Sequence, residues 1–458
     1  MADGLSDTIC DHVAGAAFAS LPASTVAAAK QVLLDASGVM IAASALADEV
    51  QAFIAVARAE GTGNCAVLGT PHRVTSGMAA LANGAMAHAL DYEDAFGPVP
   101  GHPNASLVPA LIALAQAREP VSGKRFLTAL AVGSDLSCRV GLGLDRPVDQ
   151  LGWYAPPVIA SIGAAAGAAR LLDLDAGATR DALSLILCQS IMPGEIKYSR
   201  STVLRAVREG FPAQAAVLSA QLAHAGVAGF EEPLEGRGGF YALFAGGQAD
   251  AERMLDRLGQ HFFVEDLTYK PWPSCRATHS FVEMALALRE QHGFAPEDIT
   301  AIEIVHDSFQ AMLIEPMERK AAPQVPIDAK FSIPYCTAVA LQRGKLGLDD
   351  FEQARLGDPA ITGLAATMTH RLDPEAAWSM GAGGALEIAL ADGSRLSAAQ
   401  DDALGNPDNP LSQAQLVDKF VECVGKAAVP LEPAAARDLA QAIMSLEQCD
   451  DVGALFRW

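Results

Sequence analysis

The stretch Ile159–Leu172, IASIGAAAGAARLL, carries a single charged residue. A run this rich in Ala prefers a helix. It has no polar face to turn toward water, so it predicts a helix buried on all sides. Its side chains are small, which lets neighbouring helices approach closely. A tightly packed helical body meets that condition, and a sheet protein does not. Leu and Val at i, i+3, i+4 spacing on an Ala background recur over Ser24–Ile41 and Met78–Leu90. Residues 1–264 therefore read as helix after helix, with no internal repeat of fixed period.

The texture changes near Val264. Thr300–His306 is rich in β-branched residues, as a strand would be. Ala385–Leu390, then Ala391-Asp392-Gly393, then Ser394–Ala398 predict a β-hairpin, because Asp-Gly favours a tight reversing turn. A helix over Ser280–Gln291 lies between them. Residues 265–399 are thus expected to form a smaller α+β domain inserted in the chain. Gly405-Asn406-Pro407-Asp408-Asn409-Pro410 breaks the pattern, and residues 400–458 return to helix and rejoin the first body. The predicted class is mainly α, with a large all-helical domain built from both chain ends.

Charge narrows the function. With 32 Lys and Arg against 54 Asp and Glu, the net charge is −22. Such a chain is a poor ligand for nucleic acid or for an anionic membrane, and neither is expected as a partner. The N-terminus has no basic segment followed by an apolar one, and the apolar runs are shorter than the ~20 residues of a membrane span, so a cytoplasmic location is expected. Eight Cys are scattered without a CxxC, and HExxH, GxGxxG after a strand and GxxxxGK[ST] are all missing. No metal and no organic cofactor are therefore expected.

Polar residues that a helical body does not need gather in a few loops. His88-Ala-Leu-Asp91-Tyr92-Glu93-Asp94 precedes Gly101-His102-Pro103. Asp91 and Asp94 can cap a helix end, or His102 can act as an acid/base with Asp91 holding it. Tyr154 stands at the entry to the buried helix, where packing or chemistry could place it. Lys197, Arg205 and Arg208 cluster in an acidic chain. Arg205 and Arg208 can share a helix face and, unless simply solvated, clamp a carboxylate. Lys270, Arg276 and His279 lie on a proline-stiffened turn that packing explains poorly, while Cys275 within it is read as structural. Tyr335, at a helix start in KFSIPY, can face a cleft.

HALDYEDAF…GHPNAS, GWYAPPVIASIGAAAGAARLLDLD, YKPWPSCRATHS, KFSIPYCTAVAL and GNPDNPLS, in this order, resemble the MmgE/PrpD superfamily. The resemblance runs through nearly the whole chain. It implies a large helical domain, a smaller α+β lid domain, a homodimer and a reaction without metal or organic cofactor. It places the family's active-site aspartate on Asp91, its loop histidine on His102, and its lysine and histidine on Lys270 and His279. The tyrosine of the KFSxPY-type segment falls on Tyr335. Two positions depart: Tyr154 stands where decarboxylases and dehydratases usually have His. Arg205 and Arg208 stand for the Lys and His of a Lys-x-Leu-His-x-Gly segment.

Reactions of this family make or protonate a carbanion beside a carboxylate. The expected substrate is a small anionic di- or tricarboxylate, met by the local cations Lys197, Arg205, Arg208, Lys270 and Arg276. The two departures point first to an epimerase of an iminodisuccinate-like dicarboxylate, with Tyr154 and Lys270 as opposed acid and base. The alternatives are a 2-methylcitrate dehydratase-like hydro-lyase, a cis-aconitate-type decarboxylase and, least favoured, a carboxylate-binding protein without catalysis. Asp91, His102, Tyr154 and Lys270 are the expected catalytic residues. Lys197, Arg205, Arg208, Arg276, His279 and Tyr335 are expected to bind substrate.

Overall fold

In the computed structural model, which describes residues 4–99, 101–118, 120–144, 152–199, 202–247, 249–375, 378 and 381–458, the apolar run is a helix, Ala155–Leu171. Pro156 and Pro157 occupy its first turn, where an imino nitrogen costs no hydrogen bond. Every residue of it except Arg170 is buried. Arg170 reaches out along the protein to Ala16 O and Asp173. The helix packs against Gly123–Leu142 at a crossing of two glycines. A Cβ on Gly163 would collide with Gly133 O and Ser137 Oγ, so close approach requires the bare backbone there.

The chain divides into two units, Met1–Thr268 with Ser412–Trp458, and Tyr269–Leu411. The first is helical. Ala23–Leu46, Ser76–Ala89, Pro103–Gln116 and Gly210–His224 join the two helices already named. Ala23–Leu46 runs five residues beyond the expected end at Ile41. It is long and apolar enough to cross a membrane, contrary to the expectation of shorter runs, but 78% of its apolar window is buried inside the protein. Its partner in that burial is Gln413–Gly425 from the C-terminal segment, with Phe420 seated against Gly38. Backbone bonds from Gly123 N to Cys449 O (2.8 Å), Val452 N to Val121 O (2.9 Å) and Val429 N to Gly69 O (2.8 Å) stitch that segment into the unit.

The second unit holds a four-stranded sheet in the order Met368–Leu372, Ile299–His306, Gly384–Leu390, Arg395–Gln400. The first pair is parallel and the other two are antiparallel. The hairpin turns at Asp392-Gly393: Gly393 has φ +89°, and Asp392 Oδ1 accepts from Ser394 N at 2.8 Å. Helices His279–His292 and Ile333–Arg343 enclose the core with the sheet, through Phe281, Leu288, Ile304, Leu341 and Ile388.

Tyr335 belongs to that core. It is fully buried, and its hydroxyl donates to Asp350 O at 2.8 Å. Its expected place in a cleft is corrected for a physical reason. Ser332 caps the Ile333–Arg343 helix by accepting from Tyr335 N, and this sets the ring on the inward face.

Candidate active site

The Ser76–Ala89 helix ends by delivering His88 to the interior. Two residues later Asp91 has φ +51°, a left-handed conformation that Asp tolerates better than most residues. The chain thereby turns sharply, and Asp91 N closes onto His88 O at 2.9 Å. Glu93 and Asp94 follow with no exposed surface. Ala95–Phe96 pairs with Leu267–Thr268, and Phe96 N bonds Gly101 O at 3.0 Å. That return brings His102, the residue before the Pro103–Gln116 helix, back over Glu93.

His102 Nδ1 lies 2.9 Å from Glu93 Oε1 and 2.9 Å from Asp94 O. His88 Nδ1 bonds the same Glu93 oxygen, and the two imidazole centroids are 4.7 Å apart. The expectation that Asp91 holds His102 is therefore corrected. Glu93 is the residue that holds it, while Asp91 Oδ1 stands 4.0 Å from His88 Nε2. The left-handed turn at Asp91 separates the two carboxylates in this way.

The backbone carbonyl of Asp94 can only accept a hydrogen bond, so His102 Nδ1 carries the hydrogen and the neutral ring keeps its lone pair on Nε2. His88, Asp91, Glu93 and His102 bring ligand atoms within 4.8 Å of one another, close enough to suggest a cation. Nδ1 of His102 is held as N–H and its Nε2 is open, and His88 Nδ1 bonds Glu93, so the four groups form a hydrogen-bonded cluster whose remaining nitrogen and carboxylate atoms could also ligate an ion.

A second layer comes from the short turn Leu204–Val207, after which Arg208 and Glu209 point inward. Gly84 and Gly210 pack face to face there; a Cβ on Gly84 would meet Glu209 O at 2.7 Å. Arg208 is 1% exposed, with Nε 3.1 Å from Glu209 Oε1 and Nη1 donating to Arg205 O. Its guanidinium is buried in this structure, with Nη1 committed to a backbone carbonyl. Arg205 and Lys197 are half-buried instead, and Lys197 Nζ lies 5.9 Å over the Tyr198 ring. The Arg208 guanidinium sits 5.2 Å from the Tyr154 ring centroid. Tyr154 N bonds Met192 O at 2.7 Å, which fixes the helix entry. Ser106 Oγ donates to Glu209 Oε2 at 2.5 Å, and Asn104 Nδ2 to Asp94 Oδ2 at 2.9 Å.

Burial controls the ionisation of this cluster. It pushes the His88 imidazole down to about 3, with Arg208 adding to the effect, so His88 is neutral. It pushes Asp94 up to about 7, helped by Asp35. It also raises Glu209. Burial alone would lower the Arg208 pKa, but Tyr154, Glu209, Glu93 and Asp91 around it hold it above the ordinary value. His102 is 15% exposed, and with Phe96, Val99, Pro103, Cys138, Pro156 and Ile159 it lines a small apolar recess of about 20 Å³.

The structure thus brings Asp91, His102, Tyr154 and Arg208 together in the first unit. Glu93, His88 and Glu209 belong with them and were not among the expected site residues. The available signal was the number of acids packed into so apolar a segment. Lys270, Arg276, His279 and Tyr335 are in the second unit. Lys270 is 1% exposed. His279 Nε2 bonds Ser274 O at 3.1 Å, its ring edge-on to Trp272. Arg276 Nη1 donates to Asn406 Oδ1 at 3.2 Å, and burial lowers its pKa.

Family models of the MmgE/PrpD N-terminal domain and the MmgE/PrpD C-terminal domain match residues 7–252 and 272–445. The cis-aconitate decarboxylase-like protein oryM of Aspergillus oryzae is 26% identical over 81% of this chain and 77% of its own length. The cis-aconitate decarboxylases of Homo sapiens and Mus musculus are 24% and 25% identical, each over 75% of this chain, and over 71% and 70% of their own lengths. The two domain models between them take in most of the sequence, and the chain belongs to the MmgE/PrpD family.

Proposed function

We propose that this protein is a lyase acting on a small di- or tricarboxylate, with His102 Nε2 moving a proton at the carbon next to a carboxylate. One observation carries the reading: Nδ1 of His102 is held by a buried carboxylate and a carbonyl, which leaves Nε2 as the working atom. Glu93 stabilises the imidazolium that forms when Nε2 takes a proton, and it fixes the ring's tautomer. In a dehydration, imidazole takes the proton and hydroxide leaves from the neighbouring carbon. In a decarboxylation, CO₂ leaves its electron pair on carbon, and the imidazolium protonates it. Arg205 and Lys197 supply positive charge at the surface of a protein that would otherwise repel the substrate. The decarboxylase names of the relatives favour the lyase outcome over the epimerase.

Epimerisation is a second reading, favoured by Tyr154. A phenol is a neutral proton donor, and the Tyr154 ring lies 5.2 Å from the buried Arg208 guanidinium. Proton NMR in D₂O separates the two, using cis-aconitate, hydroxylated tricarboxylates and amino-dicarboxylates as substrates. A lyase gives net conversion to a new product, which carries deuterium where a decarboxylation protonates carbon and not where a dehydration forms the double bond; an epimerase exchanges hydrogen without net conversion to a new compound. Absence of both, or a His102→Asn variant that keeps its rate, overturns the proposal.

A further inference from the structure

Lys419 lies on the C-terminal helix Gln413–Gly425, 327 residues from the loop that it touches. It is 7% exposed. Its Nζ donates to Asp35 Oδ1 at 2.6 Å and to Tyr92 O at 2.7 Å, and sits 3.8 Å over the Tyr92 ring. Tyr92 O belongs to the peptide that joins Tyr92 to Glu93. The helix has already ended before it, Asp91 has turned left-handed, and strand pairing resumes only at Ala95. No regular ladder can orient that peptide.

We propose that Lys419 is a positioning residue: by fixing the carbonyl of Tyr92 it sets the direction of the Glu93 side chain, and through Glu93 the ring of His102. The proposal rests on the reading of His102 as the acid/base. Stability alone explains Lys419 poorly. A buried ion pair contributes little over a well-packed apolar pair of the same size, and an alkyl side chain would fill the same space. An ammonium adds a directed donor for a backbone oxygen, and a methyl group cannot replace it. The titratable groups that share its surroundings are Asp35 on Ala23–Leu46 and, on its own helix, Glu422, Lys426 and the Cys423 thiol, which burial keeps protonated. The rival account is that Lys419 only neutralises Asp35.

Two variants separate these accounts. Asp35→Asn keeps the bond to Tyr92 O but leaves the ammonium without its counter-ion. Asp35→Asn with Lys419→Met removes both charges and the donor. The single variant should be the less stable, because an unpaired buried charge is the costlier defect. The double variant should be the less active, with kcat down about 10-fold to 10²-fold and KM changed less than about threefold, as for a displaced catalytic group. Activity and stability would then rank in opposite orders. If the double variant is folded and more active than the single, Lys419 only neutralises Asp35 and the proposal falls.

The histidine ring signals of ¹⁵N-labelled protein give a readout that needs no substrate. His102 should shift in the double variant and stay near its wild-type position in Asp35→Asn. Unchanged His102 signals in the double variant also overturn the positioning role. Wild type that turns over no carboxylate, with the His102 shift still present, would sink the proposed reaction and leave the positioning intact.

Discussion

His88–His102 and Tyr269–His279 are both polar segments in an apolar chain, and they are held in different ways. In the first, Glu93 bonds two imidazoles, beside the backbone bonds from Asp91 N to His88 O and from Phe96 N to Gly101 O. In the second, several of the bonds run to backbone groups, beside the side-chain bond of Arg276 to Asn406. Tyr269 N bonds Gly405 O at 2.9 Å, Cys275 N bonds Lys330 O at 2.9 Å, and His279 donates to Ser274 O. A charge network changes shape when one member changes its protonation, whereas a set of backbone bonds does not. The carboxylate that two imidazoles share in the first segment is what the proposed proton chemistry rests on.

His102→Asn attacks the charge network at its reacting atom. General acid/base groups contribute about 10² to 10⁴, so kcat should fall about 10³-fold with the fold intact by circular dichroism. A loss under about tenfold would mean that the first segment is not where the proton moves.

Glu93→Gln keeps the size of the side chain and removes its charge. The amide can donate to His102 Nδ1 and so favour the wrong tautomer. A loss of about 10² in kcat is expected, measured at saturating substrate. Asp91→Asn should cost less, because Asp91 stands 4.0 Å from His88 and does not hold His102. The reverse order would restore Asp91 as the holding group.

The third test uses pH. Asp94 is pushed from 3.8 up to about 7, by burial first and Asp35 second. The folded protein keeps a proton there that the unfolded chain releases near pH 4. The stability from this group is fully present below that pH and is lost as pH rises through about 7, about 4 kcal/mol in all. Asp94→Asn cannot ionise, so denaturant titrations should show the variant gaining on wild type from pH 4.5 to 7.5. His88 acts in the opposite sense. Its pKa is depressed to about 3, so its contribution is lost as pH falls below 6.5, and it cancels in the comparison because both proteins carry it. A constant difference across the range would mean that Asp94 is ionised throughout.

The smallest expected effect belongs to the second unit. Tyr335→Phe removes one buried hydroxyl bonded to Asp350 O, at a cost of about 1 kcal/mol in stability. Its kcat should stay within about twofold of wild type, since the hydroxyl is committed to a backbone oxygen. A larger loss of activity would return Tyr335 to the catalytic machinery.

Local features were legible in the sequence. The Ala-rich run, the β-branched strand and the Asp-Gly hairpin declare themselves within a few residues, and they are Ala155–Leu171, Ile299–His306 and the turn at Gly393. Met368–Leu372 was not, because an edge strand with mostly exposed side chains has little apolar alternation to read. In the site, Asp91 and His102 stood out by type, but the choice between Asp91 and Glu93 depends on one backbone angle, φ +51° at Asp91. The inward turn of Arg208 depends on a glycine contact between distant helices, and Lys419 meets Tyr92 only through the fold. Spacing along the chain does not carry such facts.

The central claim is that His102 is held at Nδ1, so that Nε2 does the work. Long-range ¹H–¹⁵N correlation NMR of histidine-labelled protein, assigned by comparison with His102→Asn, reports directly which ring nitrogen bears the hydrogen. The neutral His102 ring should be the Nδ1–H tautomer in the wild type, and that preference should weaken in Glu93→Gln. A neutral His102 carrying its hydrogen on Nε2 would contradict the account, because the atom assigned to proton transfer would then be the one holding the ring in place.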